Sequence, residues 1–260
     1  MPMPVPEHYI HLTPSAGFGN RLRALISGIC AAEDCNRILH VLWRQEVGVY
    51  RGELITLFTE QSLPPFVRVE SITPGSEEDP DLITCNSPDD WSAVLQTINS
   101  SILPVAIKSY GQFYQSDPVR WTRHLQSLRP NPIFKAFIDN LFSNRSVVGV
   151  HIRRTDHTIS IQNSPTPAFV AAMRAYPPTT LFFVASDDDS ERKTMQAIFP
   201  GRILVAASII DRFTFNGGVN SFLDFLGLSM TSEILGSASS SFSEMAAAYG
   251  GIPLKIVSKI

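Results

Sequence analysis

The chain has 260 residues, 44% of them apolar and 17% charged, a composition that suits one large α/β domain or two compact halves and excludes a disordered, collagen-like or coiled-coil chain. Its 21 basic residues against 24 acidic ones leave a formal net charge of -3, so no global positive field draws polyanions and nucleic acid is not the expected partner. Any phosphate must be met by a few local arginines.

Taken in chain order, Tyr9 to Thr13 reads as a buried strand that stops at Pro14 and the glycines Gly17 and Gly19. Leu22, Leu25, Ile26 and Ile29 follow at helical spacing, and Ile38 to Trp43 is short enough for a second strand, which completes a βαβ unit. Its loop, Ser15 to Arg21, puts glycines where the backbone turns tightly and leaves free N–H groups at a helix start, an anion-receptive geometry. From Tyr50 to Arg120 the pattern is weaker. Pro64-Pro65, Pro74-Gly75, the acidic Glu77-Glu78-Asp79 and Pro88-Asp89-Asp90 mark loops between short segments at Ala93 to Ile98 and Val105 to Tyr110. Asn131-Pro132, a capping residue followed by proline at the first helical position, opens a helix over Phe134 to Phe142 and a second half of the chain.

In that second half the pattern sharpens. Val147 to Ile152, Leu181 to Ala185, Ile203 to Ala206, Glu233 to Leu235 and Leu254 to Val257 read as strands. Helical patterns at Ala168 to Tyr176, Ser190 to Phe199, Phe222 to Met230 and Ser243 to Tyr249 alternate with them, the signature of a parallel, doubly wound sheet. Such sheets bind ligands beyond the carboxyl ends of their strands, so the residues just after each strand are the candidates for chemistry.

After the first of these strands come Arg153, Arg154, Asp156 and His157. A guanidinium can fork two phosphate oxygens while a nearby carboxylate orients it; the alternative is a surface Arg–Asp pair worth about 0 to 1 kcal/mol. After the second come Asp187, Asp188 and Asp189, read as helix caps for at least two of the three, with a metal-bound diphosphate as the alternative. Asp224 sits on an apolar helix, where an unpaired carboxylate is costly to bury. Either a purine's N–H groups are its partner or it faces solvent. Gly236 to Ser243 is a hydroxyl-rich turn feeding a helix, suited to cradling phosphate.

Four stretches together resemble the motifs of the GDP-fucose-dependent fucosyltransferases, above all the α1,6 and nodulation enzymes and the protein O-fucosyltransferases. They are Gly17 to Leu25, Val148 to Asp156, Phe183 to Asp188 and Leu235 to Ser243; Tyr50 to Arg120 matches nothing in that pattern. The resemblance implies an α/β, GT-B-like fold, two Rossmann-like domains with parallel sheets facing across a cleft: an acceptor-side domain at 1–130 and a GDP-binding domain at 131–260. It implies Arg154 on the β-phosphate with Arg153 as its essential neighbour, and His151 and Asp224 at guanine. Asp156, Asp187, Asp188, Ser237, Ser239, Ser240, Ser241 and Phe242 complete the donor site. Gly17, Phe18, Gly19, Asn20 and Arg21 form the facing loop of the first domain.

The implied reaction is inverting transfer of fucose from GDP-fucose to a hydroxyl of a glycan or peptide, with no metal and no cofactor. Ile161 stands where the core enzymes carry a glutamate and His157 where they carry lysine, so the base is open between His157 and Glu46, with a purely structural His157 as the alternative. A transferase using another nucleotide sugar and a nucleotide-sugar-binding protein without transfer are the competing functions. Three cysteines, Cys30, Cys35 and Cys85, give neither a disulfide framework nor a zinc site. The longest apolar run, Ile203 to Ile210, is far below the roughly 20 residues of a membrane span, and Met1 to Glu7 does not read as a secretory signal. The expected location is the cytoplasm, or a lumen if the chain is the soluble part of a longer enzyme, where Asn99 and Asn144 would lie in glycan sequons.

Overall fold

The computed structural model describes residues 8–46, 50–73, 75–76, 81–100, 104–206 and 215–259, with backbone only for 99, 100, 215 and 216. Met1 to Glu7, the acidic Glu77-Glu78-Asp79, Pro74 and the last four residues of the Ile203 to Ile210 run lie outside them. The chain divides into two compact units, Met1–Arg129 and Pro130–Ile260.

The first unit contains β1 (Tyr9–Pro14), α1 (Phe18–Asp34), β2 (Ile38–Arg44), α2 (Leu54–Leu57), β3 (Val67–Ile72), β4 (Ile83–Thr84), α3 (Pro88–Ser100), β5 (Val105–Ser109) and α4 (Pro118–Ser127). Its strands form one parallel sheet in the order β3-β2-β1-β5-β4. After β3 at one edge the chain crosses to β4 at the other and then steps inward to β5. In β2, Leu39, Val41 and Trp43 are buried while Ile38, His40, Leu42 and Arg44 are half-buried, the period-2 pattern of a strand with one face in the core. Helix α1 lies so close to the sheet that a Cβ on Gly28 would come within 2.5 Å of Leu12 Cδ2.

Two elements of this unit differ from expectation. Pro88-Asp89-Asp90 is the first turn of α3, not a loop: Asp90 accepts from the Ser87 N–H at 3.0 Å while the Asp90 N–H donates to Ser87 Oγ at 3.2 Å, a reciprocal cap that satisfies two otherwise orphaned donors. Helix α4, absent from the sequence reading, starts on Asp117, whose carboxylate accepts from the Val119 N–H at 2.8 Å ahead of Pro118.

The second unit contains α5 (Pro132–Phe142), β6 (Val147–Ile152), α6 (Thr158–Asn163), α7 (Thr166–Arg174), β7 (Leu181–Ser186), α8 (Asp189–Ile198), β8 (Ile203–Leu204), α9 (Phe215–Ser229), β9 (Ile234–Ser237), α10 (Ser241–Gly250) and β10 (Leu254–Val257). The sheet is parallel throughout, in the order β10-β9-β6-β7-β8. All six residues of β6 are buried, as in a central strand covered on both faces, which explains its unbroken apolar run. A core of Val148, Val150, Ile152, Phe169, Met173, Phe182, Val184 and Met195 packs around it. On the other side α9 approaches β7 so tightly that a Cβ on Gly227 would lie 2.4 Å from the Phe183 ring. Gly236 and Ser237 belong to β9, so the serine turn is only Ala238 to Ser240.

Candidate functional site

The strand order reverses direction between β6 and β9, the switch point at which open α/β sheets bind ligands. Parallel register pairs Ile152 with Ser186 and His151 with Gly236. The residues that leave the three strands therefore emerge side by side: Arg153 and Arg154 from β6, Asp187 from β7 and the serine turn from β9.

The two arginines are held very differently. Arg154 is 9% exposed and engaged throughout: Nε donates to Glu191 Oε1 at 2.7 Å, Nη1 to the Arg153 carbonyl at 2.8 Å and Nη2 to Thr166 Oγ1 at 3.1 Å, with the guanidinium 5.8 Å from the Phe169 ring centroid. Arg153 is 24% exposed, its Nη1 2.9 Å from Asp187 Oδ2 and its Nη2 bonded to the exposed Asp156. Arg154 thus anchors the loop from beneath, and Arg153, expected as its neighbour, is the more exposed of the two guanidiniums.

Asp187 organises this loop. Its carboxylate accepts from the Arg154 N–H at 2.7 Å and from the Thr155 hydroxyl at 2.6 Å besides pairing with Arg153. Burial alone would raise its pKa, but Arg153 and the hydrogen bonds from Thr155 and Arg154 outweigh it and hold the group below its ordinary value. Asp188 caps α8, accepting from the Ser190 N–H at 2.8 Å, and Asp189 pairs with Lys193 at 2.6 Å. These two aspartates, read with a donor role for Asp188, serve the helix instead. Among the described residues no group of three or more His, Cys, Asp or Glu side chains is arranged to hold a metal.

The serine turn is locked in place. Ser237 Oγ accepts from the Arg153 N–H at 3.0 Å and donates to the His151 carbonyl at 3.1 Å; Ser237 is wholly buried and ties β9 to β6, so it is not a donor contact. Ser160 Oγ donates to the Ala238 carbonyl at 2.6 Å, and the Ala238 N–H donates to Ser164 Oγ at 2.9 Å. Ser239 takes a left-handed φ of 57°, exposed at the apex, and Ser240 precedes α10 without capping it through its side chain. The first-turn N–H groups of α10, from Ser241 and Phe242 onward, have no intrahelical acceptor and carry the positive end of the helix dipole. His151 lies beneath them, Nδ1 3.5 Å from Ser240 Oγ and its ring 5.0 Å from that of Phe242. Burial pushes the imidazole down to about 4, so it is neutral.

Two further candidate residues each have a partner within this unit. His157 is the cap of α6: its Nδ1 accepts from the Ser160 N–H at 3.2 Å and lies 2.8 Å from Ser160 Oγ, so taking up a proton there would break the cap. Asp224 faces no solvent. It is 6% exposed, and its Oδ2 lies 2.5 Å from Arg192 Nη2 while Oδ1 has no hydrogen-bond partner.

In the first unit the loop Gly17 to Arg21 is mostly helix, because α1 begins at Phe18. The left-handed residue is Ala16, at φ 64°, and Gly17 is extended with open space where a Cβ would sit. Gly19 and Phe18 are buried, and Asn20 is half-buried. Arg21 is not a donor-facing group: it is fully buried, donating to the carbonyls of Ala16 and Arg44 at 2.8 Å each, 5.3 and 5.2 Å from the Trp43 and Tyr50 ring centroids, and 3.3 Å from Glu46 Oε2. Glu46 is thus the outer half of an ion pair.

Residues the sequence reading missed are Ser160, Ser164, Thr166, Glu191 and Arg192. Each is an ordinary polar side chain in or beside a helix, and only its partner, 25 to 93 residues away, distinguishes it: Ala238 for Ser160, Val257 for Ser164, Glu191 for Thr166, Arg154 for Glu191 and Asp224 for Arg192. One local signal existed: two acceptor-bearing residues, Asp188 and Glu191, stand three apart at a helix start.

No protein-family model matches the chain, and no curated protein matches it in sequence. Its fold does have solved counterparts. The crystal structure of NodZ α1,6-fucosyltransferase co-crystallized with GDP matches with a TM-score of 0.65 at 17% identity, over 93% of this chain and 92% of that chain. Fucosyltransferase NodZ from Bradyrhizobium matches with 0.63 at 17% identity over 93% and 92%. POFUT1 in complex with GDP-fucose matches with 0.58 at 13% identity over 96% of each chain. The chain has the two-domain, Rossmann-like α/β fold of the GT-B type that these proteins share.

Proposed function

We propose that the chain is a GDP-fucose-dependent fucosyltransferase: residues 131–260 bind GDP-fucose, and residues 1–130 serve the acceptor, a hydroxyl of a glycan or peptide. The observation that carries this reading is the row formed by Arg153, Asp187 and the start of α10 at the switch point of the second sheet, above a buried neutral histidine. That proteins of the same fold were crystallised with GDP and with GDP-fucose supports this donor over others.

Transfer breaks the bond from the anomeric carbon to the β-phosphate oxygen, forms one to the acceptor oxygen with inversion, and releases GDP. Negative charge grows on the diphosphate as the bond lengthens, so donors already fixed in place lower the barrier more than they tighten ground-state binding. Arg153 is such a donor, oriented by Asp187 and able to exchange exposed Asp156 for phosphate. Ser239, Ser240 and the N–H groups of Ser241 and Phe242 add hydrogen bonds to the same anion. His151, uncharged, and Oδ1 of Asp224 serve the guanine ring. Guanidinium and helix dipole supply the charge that a divalent ion supplies elsewhere, so transfer is expected to run without metal. Glu46 is the carboxylate proposed to take the acceptor's proton.

Calorimetric titration is expected to show GDP bound at least about tenfold more tightly than UDP, and fucose transfer unchanged by EDTA. Equal affinity for the two nucleotides would sink guanine recognition, and strict dependence on added magnesium or manganese would remove the metal-free mechanism. Ile161, 37% exposed where core enzymes carry a glutamate, favours one other reading, a nucleotide-sugar-binding protein. GDP binding with no fucose released to water or to any glycan would select it.

A further inference from the structure

Arg192 has no place in the mechanism above, yet it is one of the most deeply buried charges in the second unit. Its side chain is 4% exposed and makes two contacts that join different elements: Nη2 donates to the Ser186 carbonyl at the end of β7 at 2.9 Å and to Asp224 Oδ2 on α9 at 2.5 Å. Ser186 is itself pinned at the same spot, its Oγ donating to the Ile152 carbonyl at 2.7 Å and accepting from the Asp188 N–H at 3.2 Å. The next residue, Asp187, holds Arg153. A short covalent and hydrogen-bonded path therefore runs from Asp224 through Arg192 and Ser186 to the phosphate-facing guanidinium. The neighbouring Phe225 packs edge-on to Phe242, whose ring lies 5.0 Å from that of His151.

A carboxylate buried this deeply needs both oxygens satisfied. Arg192 satisfies one, and Oδ1 remains a buried acceptor without a hydrogen-bond partner. We propose that Arg192 is a positioning residue for base recognition: by clamping Oδ2 to the end of β7 it fixes the Asp224 rotamer and leaves the other oxygen to accept from a purine ring N–H. The proposal rests on the reading that GDP binds this unit. It makes the choice of base depend on a residue that never touches the base.

The electrostatics support this geometry. Burial pushes the Asp224 carboxyl up to about 7, and Arg192 is the group that opposes the rise. The other titratable groups on elements packed against α9 are Lys135 and Asp139 of α5, His151 of β6, and Glu244 and Tyr249 of α10. A ring N–H donates more strongly to the ionised form than to a protonated carboxyl. Affinity for GDP should accordingly rise with pH through about 7, and removal of the Arg192 charge should move that rise upward.

The test is calorimetric titration of GDP, ADP and inorganic pyrophosphate into the full chain and its R192M and R192K variants between pH 6 and 8.5. R192M is expected to weaken GDP about tenfold or more, to leave pyrophosphate within about twofold, to erase the preference for GDP over ADP and to shift the pH profile up. R192K is expected to restore part of the preference and the pH profile. An R192M chain with unchanged base preference and unchanged pH profile overturns the proposal. If R192M does not fold, R192Q takes its place with the same two outcomes. A wild-type chain that binds pyrophosphate but does not prefer GDP overturns the donor reading itself.

Discussion

The two units are built on the same plan, five parallel strands with a phosphate-suited turn after the first, yet their arginines at that turn have opposite fates. In the first, Arg21 is sealed between Trp43, Tyr50 and two carbonyls, with Glu46 as its outer partner. In the second, Arg154 is sealed in the same way behind Glu191 and Thr166, but its neighbour Arg153 stays open above Asp187. A buried guanidinium already committed to carbonyls, hydroxyls or a carboxylate is a structural strut, because exchanging those partners for a ligand means desolvating them again. On the proposed reading, one additional arginine is what separates the second turn from the first.

The sharpest way to break this comparison is to exchange the fates. R153A is expected to cut fucose transfer about a hundred- to a thousandfold, as loss of a preorganised donor to a developing anion does, with the melting temperature nearly unchanged; R154M is expected to do the reverse, with a marked loss of stability. Parallel transfer assays and thermal melts decide it, and a variant pair with swapped outcomes would return the phosphate to Arg154.

Next in size is R21M. Removing one partner of a buried ion pair costs about 3 to 5 kcal/mol, so denaturant unfolding should show the chain destabilised by that order while GDP affinity of the folded protein holds. A loss of GDP affinity without destabilisation would make Arg21 a ligand-facing residue after all.

The smallest effect sharpens the second unit alone. His151 is held down at about 4, below its usual 6.5, so the unfolded chain binds the extra proton and His151 makes stability climb as pH rises from 4 to 6.5, by about 3 kcal/mol in all. Asp224 is pushed up to about 7 from 3.8, so the folded chain keeps the proton and Asp224 makes stability fall as pH rises from 3.8 to 7, by about 4 kcal/mol. The two slopes oppose, and the wild-type unfolding free energy should be nearly flat between pH 4.5 and 6.5. D224N should unmask the rising slope and H151N the falling one, each read from urea melts across that window.

Much of the framework was legible before any coordinates. The six buried residues of β6 stand out as an unbroken apolar run because both sheet faces are covered, and β2 alternates because one face is not. The Asn131-Pro132 helix start works as its residue types require, Asn131 accepting from the Ile133 N–H at 3.2 Å. Between Tyr50 and Arg120 the reading was thin, since α3 and α4 begin on Ser-Pro and Asp-Pro pairs that look like loop punctuation until the caps are seen to close. At the site, the residue types and their strand-end positions were visible, but which of Arg153 and Arg154 is sealed by Glu191 and Thr166 and which stays more exposed was not.

By itself the sequence determined the order of elements, the two-part α/β plan and the demand that any phosphate be met by local arginines, because periodicity, composition and charge are properties of neighbours along the chain. Which arginine faces out, which histidine is a cap and which aspartate has a cation waiting 32 residues away were decided only by the tertiary structure. Burial and pairing are set by groups distant in sequence, and for a charged side chain it is the partner and the loss of water, not the residue type, that decide between strut and site.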